Sequence, residues 1–222
     1  MLTAIVLAAG QGARMKTEVP KQFLDVGGVP MIVRTLRVFE ESPCVDEILL
    51  TVSPDRVERC REEIVEKYGF RRIRAVIAGG RERTDSVRLS LDACPDSEYV
   101  MIHDGARPFV TPEILERTAD AVRKYGAVAV GMPSKDTVKI ADADGFVSST
   151  PDRRFVWTIQ TPQAFSTRII REAGEILRKE GGMDGITDDA MLVERSGLAK
   201  VRLIEGSYAN VKITTPEDLR LL

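Results

Sequence analysis

Cysteine and histidine are scarce in this chain of 222 residues, which has three cysteines and one histidine. The cysteines, Cys44, Cys60 and Cys94, lie far apart and lack the spacing of metal ligands, so we expect each to serve as a small apolar side chain. The lone histidine, His103, is the one candidate for a histidine base. The composition therefore gives no support to a metal site built from cysteines.

An excess of charge of one sign and a long apolar run are also missing. The formal net charge is −2, which gives no reason to expect a nucleic-acid partner through bulk electrostatics. Because we find no signal peptide and no apolar run of membrane-spanning length, we expect a cytoplasmic protein with no membrane partner. Positive charge is placed locally, which suits a small anionic substrate. The local cations are Arg14, Lys21, Arg81, Arg83, Arg107 and Arg153.

Strand-like and helix-like segments alternate through the first two-thirds of the chain, which is typical of βαβ units. This alternation predicts an α/β fold with a mostly parallel central sheet, and ligand binding beyond the carboxyl ends of the strands. The predicted strands are Ile5–Ala8, Glu47–Val52, Ile73–Ile77, Tyr99–His103 and Ala127–Met132. The later predicted helices span about 55–68, 83–93, 112–125, 167–179 and 188–196. No repeat or linker interrupts the chain, so we expect one domain over residues 1–222.

The first predicted strand runs into the loop Leu7-Ala8-Ala9-Gly10-Gln11-Gly12-Ala13-Arg14-Met15, which is followed by Pro20-Lys21. Small residues let the backbone approach a ligand, and exposed N–H groups can hold phosphate oxygens. Arg14 and Lys21 add two cations, a combination that a nucleoside triphosphate requires. Met15 occupies the place of the third glycine of a dinucleotide-binding loop, and no Gly-Lys-Ser/Thr of a Walker loop occurs. The alternative is an ordinary glycine-rich turn.

The third predicted strand ends in Ala78-Gly79-Gly80-Arg81-Glu82-Arg83-Thr84-Asp85-Ser86. Paired glycines at the carboxyl end of a strand permit close approach by a base or a ribose. Ser86 could then donate a hydrogen bond to the base. In the alternative interpretation Ser86 is only a helix-start residue, and the charged residues 81 to 83 form a solvated face.

The fourth predicted strand ends in Ile102-His103-Asp104-Gly105-Ala106-Arg107-Pro108. An aspartate just past a buried parallel strand suits a Mg²⁺ ligand or a ribose contact, so Asp104 is a candidate for either role. Side chains alternate along a strand, so His103 should point to the other side of the sheet from Asp104. We therefore expect His103 to be a hydrogen-bonded packing residue and not a general base.

The alternation of strands and helices stops after Pro133. Short β-like segments, Thr137–Ile140 and Phe146–Ser149, flank a turn at 142–145 and predict a β-hairpin arm over about 134–155. The segment has few large apolar residues with which to build a core. It should therefore either lie flat on the domain or project and pack on another subunit.

These motifs resemble the 2-C-methyl-D-erythritol 4-phosphate cytidylyltransferases of the non-mevalonate isoprenoid pathway. The resemblance runs in family order from the first strand to Leu219. The segments that carry it are LAAGQGARM with PKQF, GGRERTDSV, HDGARP, KDT, DRR, WTIQTPQAF, ITDDA and NVKITTPEDL.

The resemblance implies a Rossmann-like nucleotidyltransferase fold with helices on both faces of the sheet. It implies an enzyme that transfers the cytidylyl group of CTP to 2-C-methyl-D-erythritol 4-phosphate and releases pyrophosphate. We expect Mg²⁺, or another divalent cation, to assist, with Asp104 as its candidate ligand. The resemblance also implies a homodimer in which the arm reaches the neighbouring subunit's acceptor.

Roles can be carried from the family to matching positions of this chain. The expected catalytic residues are Arg14, Lys21 and Lys212. The expected nucleotide-binding residues are Ala8, Ala9, Gly10, Gly12, Gly80, Ser86 and Asp104. The expected acceptor-binding residues are Arg107, Thr137, Arg153, Thr161 and Thr187.

Three alternatives remain open from the sequence. Relatives that act on ribitol 5-phosphate share much of the pattern, but they tend to differ at Ala9 and at Gly105-Ala106, and Thr187-Asp188-Asp189 fits the methylerythritol enzymes better. A catalytically silent nucleotide-binding regulator would need fewer cations than this chain carries. An NAD-dependent oxidoreductase is disfavoured by Met15 and by the missing acidic residue about twenty positions after the loop.

Overall fold

The computed structural model describes residues 1–10 and 20–221. Nine strands occur in this part of the chain: β1 (Leu2–Ala8), β2 (Glu47–Val52), β3 (Ile73–Ala78), β4 (Tyr99–Asp104), β5 (Ala127–Pro133), β6 (Ile140–Ala141), β7 (Val147–Ser149), β8 (Trp157–Ser166) and β9 (Arg202–Glu205). The α-helices there are α1 (Met31–Glu41), α2 (Val57–Cys60), α3 (Arg83–Asp92), α4 (Pro112–Tyr125), α5 (Thr167–Glu180) and α6 (Asp189–Ser196).

Seven strands form one mixed sheet in the order β3-β2-β1-β4-β8-β5-β9. Strands β1 to β4 run parallel to one another, β8 is antiparallel to both β4 and β5, and β9 is parallel to β5. The chain builds outward from β1 to β3 and then returns to place β4 on the other side of β1. A crevice therefore opens at the carboxyl ends of β1 and β4, where ligands of such sheets bind.

Helices cover both faces of the sheet because the buried side chains of each strand alternate between two apolar clusters. Ala4 and Val6 of β1 pack in the cluster that includes residues of α1, α2 and α4. Ile5 and Leu7 of the same strand pack in the cluster that includes residues of α3, α5 and α6. This arrangement confirms the predicted α/β fold.

Strand β8 was not predicted from the sequence. Its ten residues include Thr158, Gln160, Thr161 and Gln163, so the segment lacks the apolar alternation that marks a strand. Pro162 follows a cis peptide bond and lies where the pairing of β8 with β5 changes register. A proline within a run argues against a strand, and here the irregular register accommodates it.

Other boundaries differ by a few residues. The helix predicted over 55–68 is a 3₁₀ turn (Pro54–Arg56), then α2, then a π-helical segment (Arg61–Glu66). The apolar pattern over Lys200–Ile204 predicts one more strand, and β9 begins two residues later than that pattern, at Arg202. The last helical element is a 3₁₀ helix over Pro216–Leu221.

The predicted arm is a β-hairpin outside the main sheet. In β6 and β7, Ile140 pairs with Ser149 and Ala141 pairs with Val147, so the two strands are shorter than predicted. Asp142 closes the turn by accepting hydrogen bonds from the backbone N–H groups of Asp144 and Phe146. Residues 139 to 150 are all exposed, and the side chains of Phe146 and Phe155 are 73% and 79% exposed.

Within residues 1–10 and 20–221, none of the helices combines the length and apolar character needed to cross a bilayer.

Candidate active site

A cavity of 330 Å³ lies at the carboxyl ends of β1 and β4, where the topology predicts a ligand. The two strands are in register there, with Leu7 opposite Asp104, and Gly105 N–H donates to the Leu7 carbonyl at 2.8 Å. A cavity of this size holds a small organic ligand. Its lining residues are Leu7, Ala9, Gly10, Lys21, Gln22, Gly80, Arg81, Glu82, Arg83, Ser86, Asp104, Ala106, Lys212 and Thr214.

The first loop contributes Ala9, Gly10 and Lys21 to the wall of this cavity. Lys21 begins a short 3₁₀ turn, Lys21–Phe23, and is 7% exposed. The next residue, Gln22, donates from Nε2 to the Gly10 carbonyl at 3.0 Å, which ties this turn to the end of β1. Ala8 is buried at the last position of β1. Gly12 and Arg14, two further predicted residues, lie outside the described part of the chain.

The paired glycines after β3 are required because neighbouring atoms lie too close to leave room for a Cβ atom at either position. A Cβ atom on Gly79 would lie 2.7 Å from the Ala9 Cβ, and one on Gly80 would lie 2.3 Å from the Asp85 Cβ. Real Cβ atoms do not approach that closely, so neither position accepts a side chain in this backbone. The loop after β3 therefore packs directly, at Gly79, on Ala9 of the loop after β1.

Ser86 fixes this loop as well as lining the cavity. Its hydroxyl accepts a hydrogen bond from Gly80 N–H and donates to the Glu82 carbonyl, both at 3.1 Å. Glu82 caps α3 in a reciprocal arrangement with Asp85. The helix-start role weighed for Ser86 is thus present, and Ser86 is also among the residues that line the cavity.

Asp104 is the buried acidic centre of the cavity. Its Oδ2 lies 2.7 Å from Lys212 Nζ, and its Oδ1 lies 3.6 Å from Arg83 Nε. Burial alone would raise the pKa of this carboxyl, but Arg83 and Lys212 outweigh that effect and hold the pKa well below its usual range. Asp104 is therefore ionised at every working pH, and its position at the end of β4 matches the prediction.

His103 lies on the other side of β4 and packs on Phe39 of α1, with ring centroids 5.1 Å apart. It is fully buried, and burial lowers the pKa of its imidazole from 6.5 to about 4. Its ring nitrogens are hydrogen-bonded to the Thr161 hydroxyl and the Arg107 carbonyl. The prediction of a hydrogen-bonded packing histidine is confirmed.

Thr161 lies next to the backbone of Asp104 and is 4% exposed. Its Oγ1 accepts the Asp104 backbone N–H at 3.0 Å and contacts His103 Nδ1 at 3.1 Å. The hydroxyl predicted to touch the acceptor is thus used within the protein, where it holds the backbone of Asp104.

Arg107 is half-buried in the turn after β4 and donates from Nη1 to the Asn210 carbonyl at 2.8 Å. This bond ties the β4 turn to the segment that carries Lys212. Burial lowers the pKa of the guanidinium, and Asp104 acts in the opposite direction. The Arg107 Nε is a buried donor that has no partner among the described residues.

None of the five predicted acceptor-binding residues is among the described residues that line the cavity, and three of the five are exposed. Thr187 is exposed just before α6, and its hydroxyl donates to Met191 Sδ at 3.5 Å. Thr137 and Arg153 are exposed in the arm, where Arg153 Nη1 donates to the Lys135 carbonyl at 3.0 Å. Within a single chain, Thr187, Thr137 and Arg153 therefore do not line the cavity.

Arg83 decides between the two interpretations of its segment. In the alternative interpretation it lies on a solvated face, but its side chain is 29% exposed, and it lines the cavity. Its two Nη atoms donate to the carboxylate of the buried Asp189 at 2.7 and 2.6 Å. The partners are 106 residues apart, so no local pattern links them.

A divalent cation can be tested against the carboxylates present. Among the described residues only Glu82 and Asp104 bring carboxylates to the cavity, and no cluster of three or more His, Cys, Asp or Glu suited to a metal occurs there. Mg²⁺ usually takes one or two protein carboxylates and completes its shell with phosphate oxygens and water. An ionised Asp104 beside a bound triphosphate would supply this set of ligands.

Comparison with known proteins gives a consistent result over nearly the full chain. The family model described as "IspD: 2-C-methyl-D-erythritol 4-phosphate cytidylyltransferase" matches residues 2–222. The 2-C-methyl-D-erythritol 4-phosphate cytidylyltransferase of Lachnospira eligens is 46% identical over 221 residues, covering 100% of this chain and 97% of that protein. The protein of the same name from Geobacter metallireducens is 47% identical, with 98% and 94% covered.

Solved structures agree with the sequence relatives. The 4-diphosphocytidyl-2C-methyl-D-erythritol synthase of Anaerococcus prevotii superposes with a TM-score of 0.86 at 39% identity, and 99% of this chain and 92% of that chain are covered. The 2-C-methyl-D-erythritol 4-phosphate cytidylyltransferase of Thermus thermophilus gives 0.75 at 31% identity, with 100% and 97% covered.

Proposed function

Because the chain belongs to the 2-C-methyl-D-erythritol 4-phosphate cytidylyltransferase family, we propose that the cavity at the ends of β1 and β4 is where it binds CTP. The enzyme transfers the cytidylyl group of CTP to 2-C-methyl-D-erythritol 4-phosphate, yielding 4-diphosphocytidyl-2-C-methyl-D-erythritol and pyrophosphate. The observation that carries the placement is the convergence of the β1 loop, the paired glycines after β3 and the Asp104–Lys212 pair on one cavity. Acceptors such as ribitol 5-phosphate have no support from the comparisons.

The chemistry needs no strong base. An oxygen of the acceptor phosphate attacks the α-phosphorus of CTP, the bond from that phosphorus to the bridging oxygen breaks, and pyrophosphate leaves. A phosphate monoester is already an anion near neutral pH, so the nucleophile needs no deprotonation. The buried, neutral His103 on the far side of β4 agrees with this mechanism.

The difficulty is to bring two polyanions together. Lys21 and Lys212 reach the cavity from opposite ends of the chain, and fixed cations there offset the repulsion and the charge that grows in the transition state. We assign both to catalysis, together with Arg14. Mg²⁺, held by Asp104 and the triphosphate, would add charge neutralisation on the phosphates.

The nucleoside is assigned to the side of the cavity formed by Ala9, Gly80 and Ser86. The loops after β1 and β3 pack closely there, and the bare backbone at the glycines permits close approach by a flat pyrimidine ring. The Ser86 hydroxyl and the backbone groups beside it supply the polar atoms that read the base.

The acceptor is assigned to a site completed by a second subunit. Thr137 and Arg153 lie in an exposed arm, whose large apolar side chains Phe146 and Phe155 are also exposed. A two-fold pair that exchanges arms would cover this surface and bring both polar residues to the partner's cavity. Arg107 and Thr187 are assigned to the acceptor from the chain's own side.

We also assign the enzyme to the cytoplasm. Thiols stay reduced there. Cys44, Cys60 and Cys94 are all free, and burial raises the pKa of Cys60 to about 11, which keeps that thiol unreactive.

A pyrophosphate-release assay tests the proposal. The protein is given CTP and Mg²⁺ with 2-C-methyl-D-erythritol 4-phosphate, with ribitol 5-phosphate, or with no acceptor. We expect release only with the first acceptor. Pyrophosphate release with ribitol 5-phosphate at a comparable kcat/KM would contradict the proposed identity of the acceptor. CTP binding without pyrophosphate release would indicate a silent regulator.

A further inference from the structure

We propose that Asp189 is a positioning residue for the cytidylyl transfer: it holds Arg83 in one orientation and thereby reserves the Asp104 carboxylate for Lys212. The inference rests on the proposed placement of CTP in this cavity. Asp189 itself is absent from the lining of the cavity in the described part of the chain, so its effect passes through Arg83.

Four charges alternate across the site. Asp189 accepts two parallel hydrogen bonds from Arg83 Nη1 and Nη2, at 2.7 and 2.6 Å. The remaining nitrogen, Nε, faces Asp104 Oδ1 at 3.6 Å, whereas Asp104 Oδ2 binds Lys212 Nζ at 2.7 Å. The bidentate pair fixes the plane of the guanidinium, because both of its terminal nitrogens are bound.

Both ends of the Asp189–Arg83 pair are anchored to rigid elements. Arg83 is the first residue of α3, whose start is fixed by the reciprocal cap of Glu82 and Asp85. Asp189 is the first residue of α6 and is fully buried. A carboxylate at a helix start is also favoured by the helix dipole.

Strand β8 holds the start of α6 beside β4. Gln163 of β8 donates to Asp188 Oδ2 at 2.9 Å and accepts from Ala190 N–H at 2.8 Å. The same residue pairs with Ile102, two positions before Asp104. Asp189 is therefore positioned relative to Asp104 by the frame of the sheet and not by a mobile loop.

Removal of the Asp189 charge changes the competition for Asp104. An unheld Arg83 can rotate its two Nη atoms toward Asp104, the neighbouring carboxylate, because a bidentate pair satisfies more donors than the 3.6 Å contact. Lys212 would then lose its 2.7 Å partner and its fixed place beside the triphosphate. A shift of about 1 Å in such a group costs on the order of a hundredfold in rate.

The bond to Asp189 matters for the charge of Arg83 as well. Burial tends to lower the pKa of the guanidinium, but Asp189 and Asp104 together raise it above its ordinary value. Arg83 is thus a permanent cation, shared between one carboxylate outside the cavity and one at its wall.

The test uses the full-length protein and the pyrophosphate-release assay with CTP and 2-C-methyl-D-erythritol 4-phosphate. Asp189→Asn keeps the shape of the side chain and removes its charge. We expect kcat to fall on the order of tenfold to a hundredfold with the KM for CTP changed less than about threefold, because position and not binding is disturbed. Asp189→Glu keeps the bidentate carboxylate and should recover part of the lost kcat.

A second variant separates positioning from stability. Removing one partner of a buried ion pair leaves an unpaired charge and can unfold a protein, whereas an apolar replacement of both partners restores stability in several proteins. Arg83→Met combined with Asp189→Leu should therefore keep a Tm near that of the wild type. It also removes the guanidinium that competes for Asp104, so its kcat should lie well above that of Asp189→Asn at a temperature at which both variants are folded. A folded double variant as slow as Asp189→Asn would show that competition for Asp104 is not the cause, and the proposal would be wrong.

Asp92→Asn is the matched control. Asp92 is the last residue of α3, and it pairs with Arg88 and Arg171 far from the start of the helix. The kcat of Asp92→Asn should match that of the wild type. An inactive wild-type protein would contradict the proposed function, whereas an active wild type with an equally active Asp189→Asn variant would overturn the positioning role alone.

Discussion

His103 and Thr161 are hydrogen-bonded at 3.1 Å on the side of β4 away from the cavity, and together they set the conformation of the turn that carries Asp104. The Arg107 carbonyl can only accept, so His103 Nε2 is its donor and Nδ1 is left as an acceptor. The Thr161 hydroxyl then donates to Nδ1 and accepts the Asp104 N–H. Burial keeps the imidazole neutral, and the neutral ring leaves Nδ1 free to accept from the Thr161 hydroxyl.

The first prediction is that stability falls in acid because of His103. Its pKa in the folded protein is about 4, against 6.5 ordinarily, so between these values the unfolded chain binds more protons. Stability contributed by the neutral ring is complete above pH 6.5 and is lost as the pH falls toward 4. The shift corresponds to about 3 kcal/mol of unfolding free energy.

Urea unfolding of the wild type and of His103→Gln, at several pH values from 7 to 4.5, measures this term. Glutamine does not titrate, so the variant should be less stable at pH 7 but should lose less stability as the pH falls. Groups other than His103 contribute equally to both proteins and cancel. Parallel curves for the two proteins would show that the pKa of His103 does not differ between the folded and the unfolded protein.

The second prediction concerns Lys21. Lys21→Ala should lower kcat far more than it raises the KM for CTP, because a preorganised cation acts where charge develops. The expected loss is on the order of a hundredfold in kcat, or about 3 kcal/mol. Lys200→Ala, which changes an exposed lysine just before β9, is the control and should leave kcat unchanged. An unaltered kcat in Lys21→Ala would remove this lysine from catalysis.

The sequence predicts the sheet strands that have apolar patterns and the positions of residues that follow them. Asp104 could be placed because β4 is an apolar run in a parallel array, and parallel strands bring their carboxyl ends to one edge. Strand β8 was missed because its polar residues and Pro162 hide a strand whose faces are set by its neighbours β4 and β5. Its identity depends on tertiary pairing, which local pattern does not contain.

The side-chain contacts within the site were harder to predict than the site's location. Arg83 belongs to a charged run that is typical of a solvated face, and its burial follows only from Asp189, 106 residues later in the chain. Thr161 matched a family position, but the direction of its hydroxyl depends on the hydrogen bonds of His103 and Asp104. Sequence motifs therefore locate the residues of the site, but the hydrogen bonds that each polar atom makes depend on partners distant in the sequence.

The third prediction concerns the Ser86 hydroxyl. Ser86→Ala removes the acceptor of the Gly80 N–H and one polar atom from the proposed base site. Losing one neutral hydrogen bond costs about 0.5–1.5 kcal/mol, so the KM for CTP should rise roughly threefold to tenfold and discrimination against UTP should weaken. Chemistry on bound CTP should be nearly unchanged, with kcat within about twofold.

Ser90→Ala is the matched control for this change. Ser90 lies one turn further along α3, is fully buried, and bonds to Thr51 Oγ1 and the Ser86 carbonyl. Its loss should lower Tm without changing the KM for CTP. Wild-type CTP affinity and UTP discrimination in Ser86→Ala would place the base elsewhere.

The fourth prediction is that the active protein is a homodimer in which each acceptor site uses the arm of the other subunit. Arg153 is exposed in its own chain and is held by the Lys135 carbonyl at the root of the arm. A guanidinium can bind two oxygens of one phosphate, which suits the acceptor's monoester. Arg153→Ala should therefore raise the KM for the acceptor and lower kcat/KM, while CTP binding stays at the wild-type level.

Subunit mixing decides whether Arg153 acts across the interface. At an acceptor concentration well below the KM of Arg153→Ala, this variant and Lys21→Ala are each expected to be nearly inactive alone. Their mixture forms crossed dimers that contain one site with both lesions and one with neither. Half of the dimers are crossed at equal mixing, so about a quarter of the wild-type activity should return by random two-fold pairing. Exchange is verified with two differently tagged chains. No recovery despite proven exchange would mean that Arg153 and Lys21 serve the same chain's site, and the shared acceptor site would be wrong.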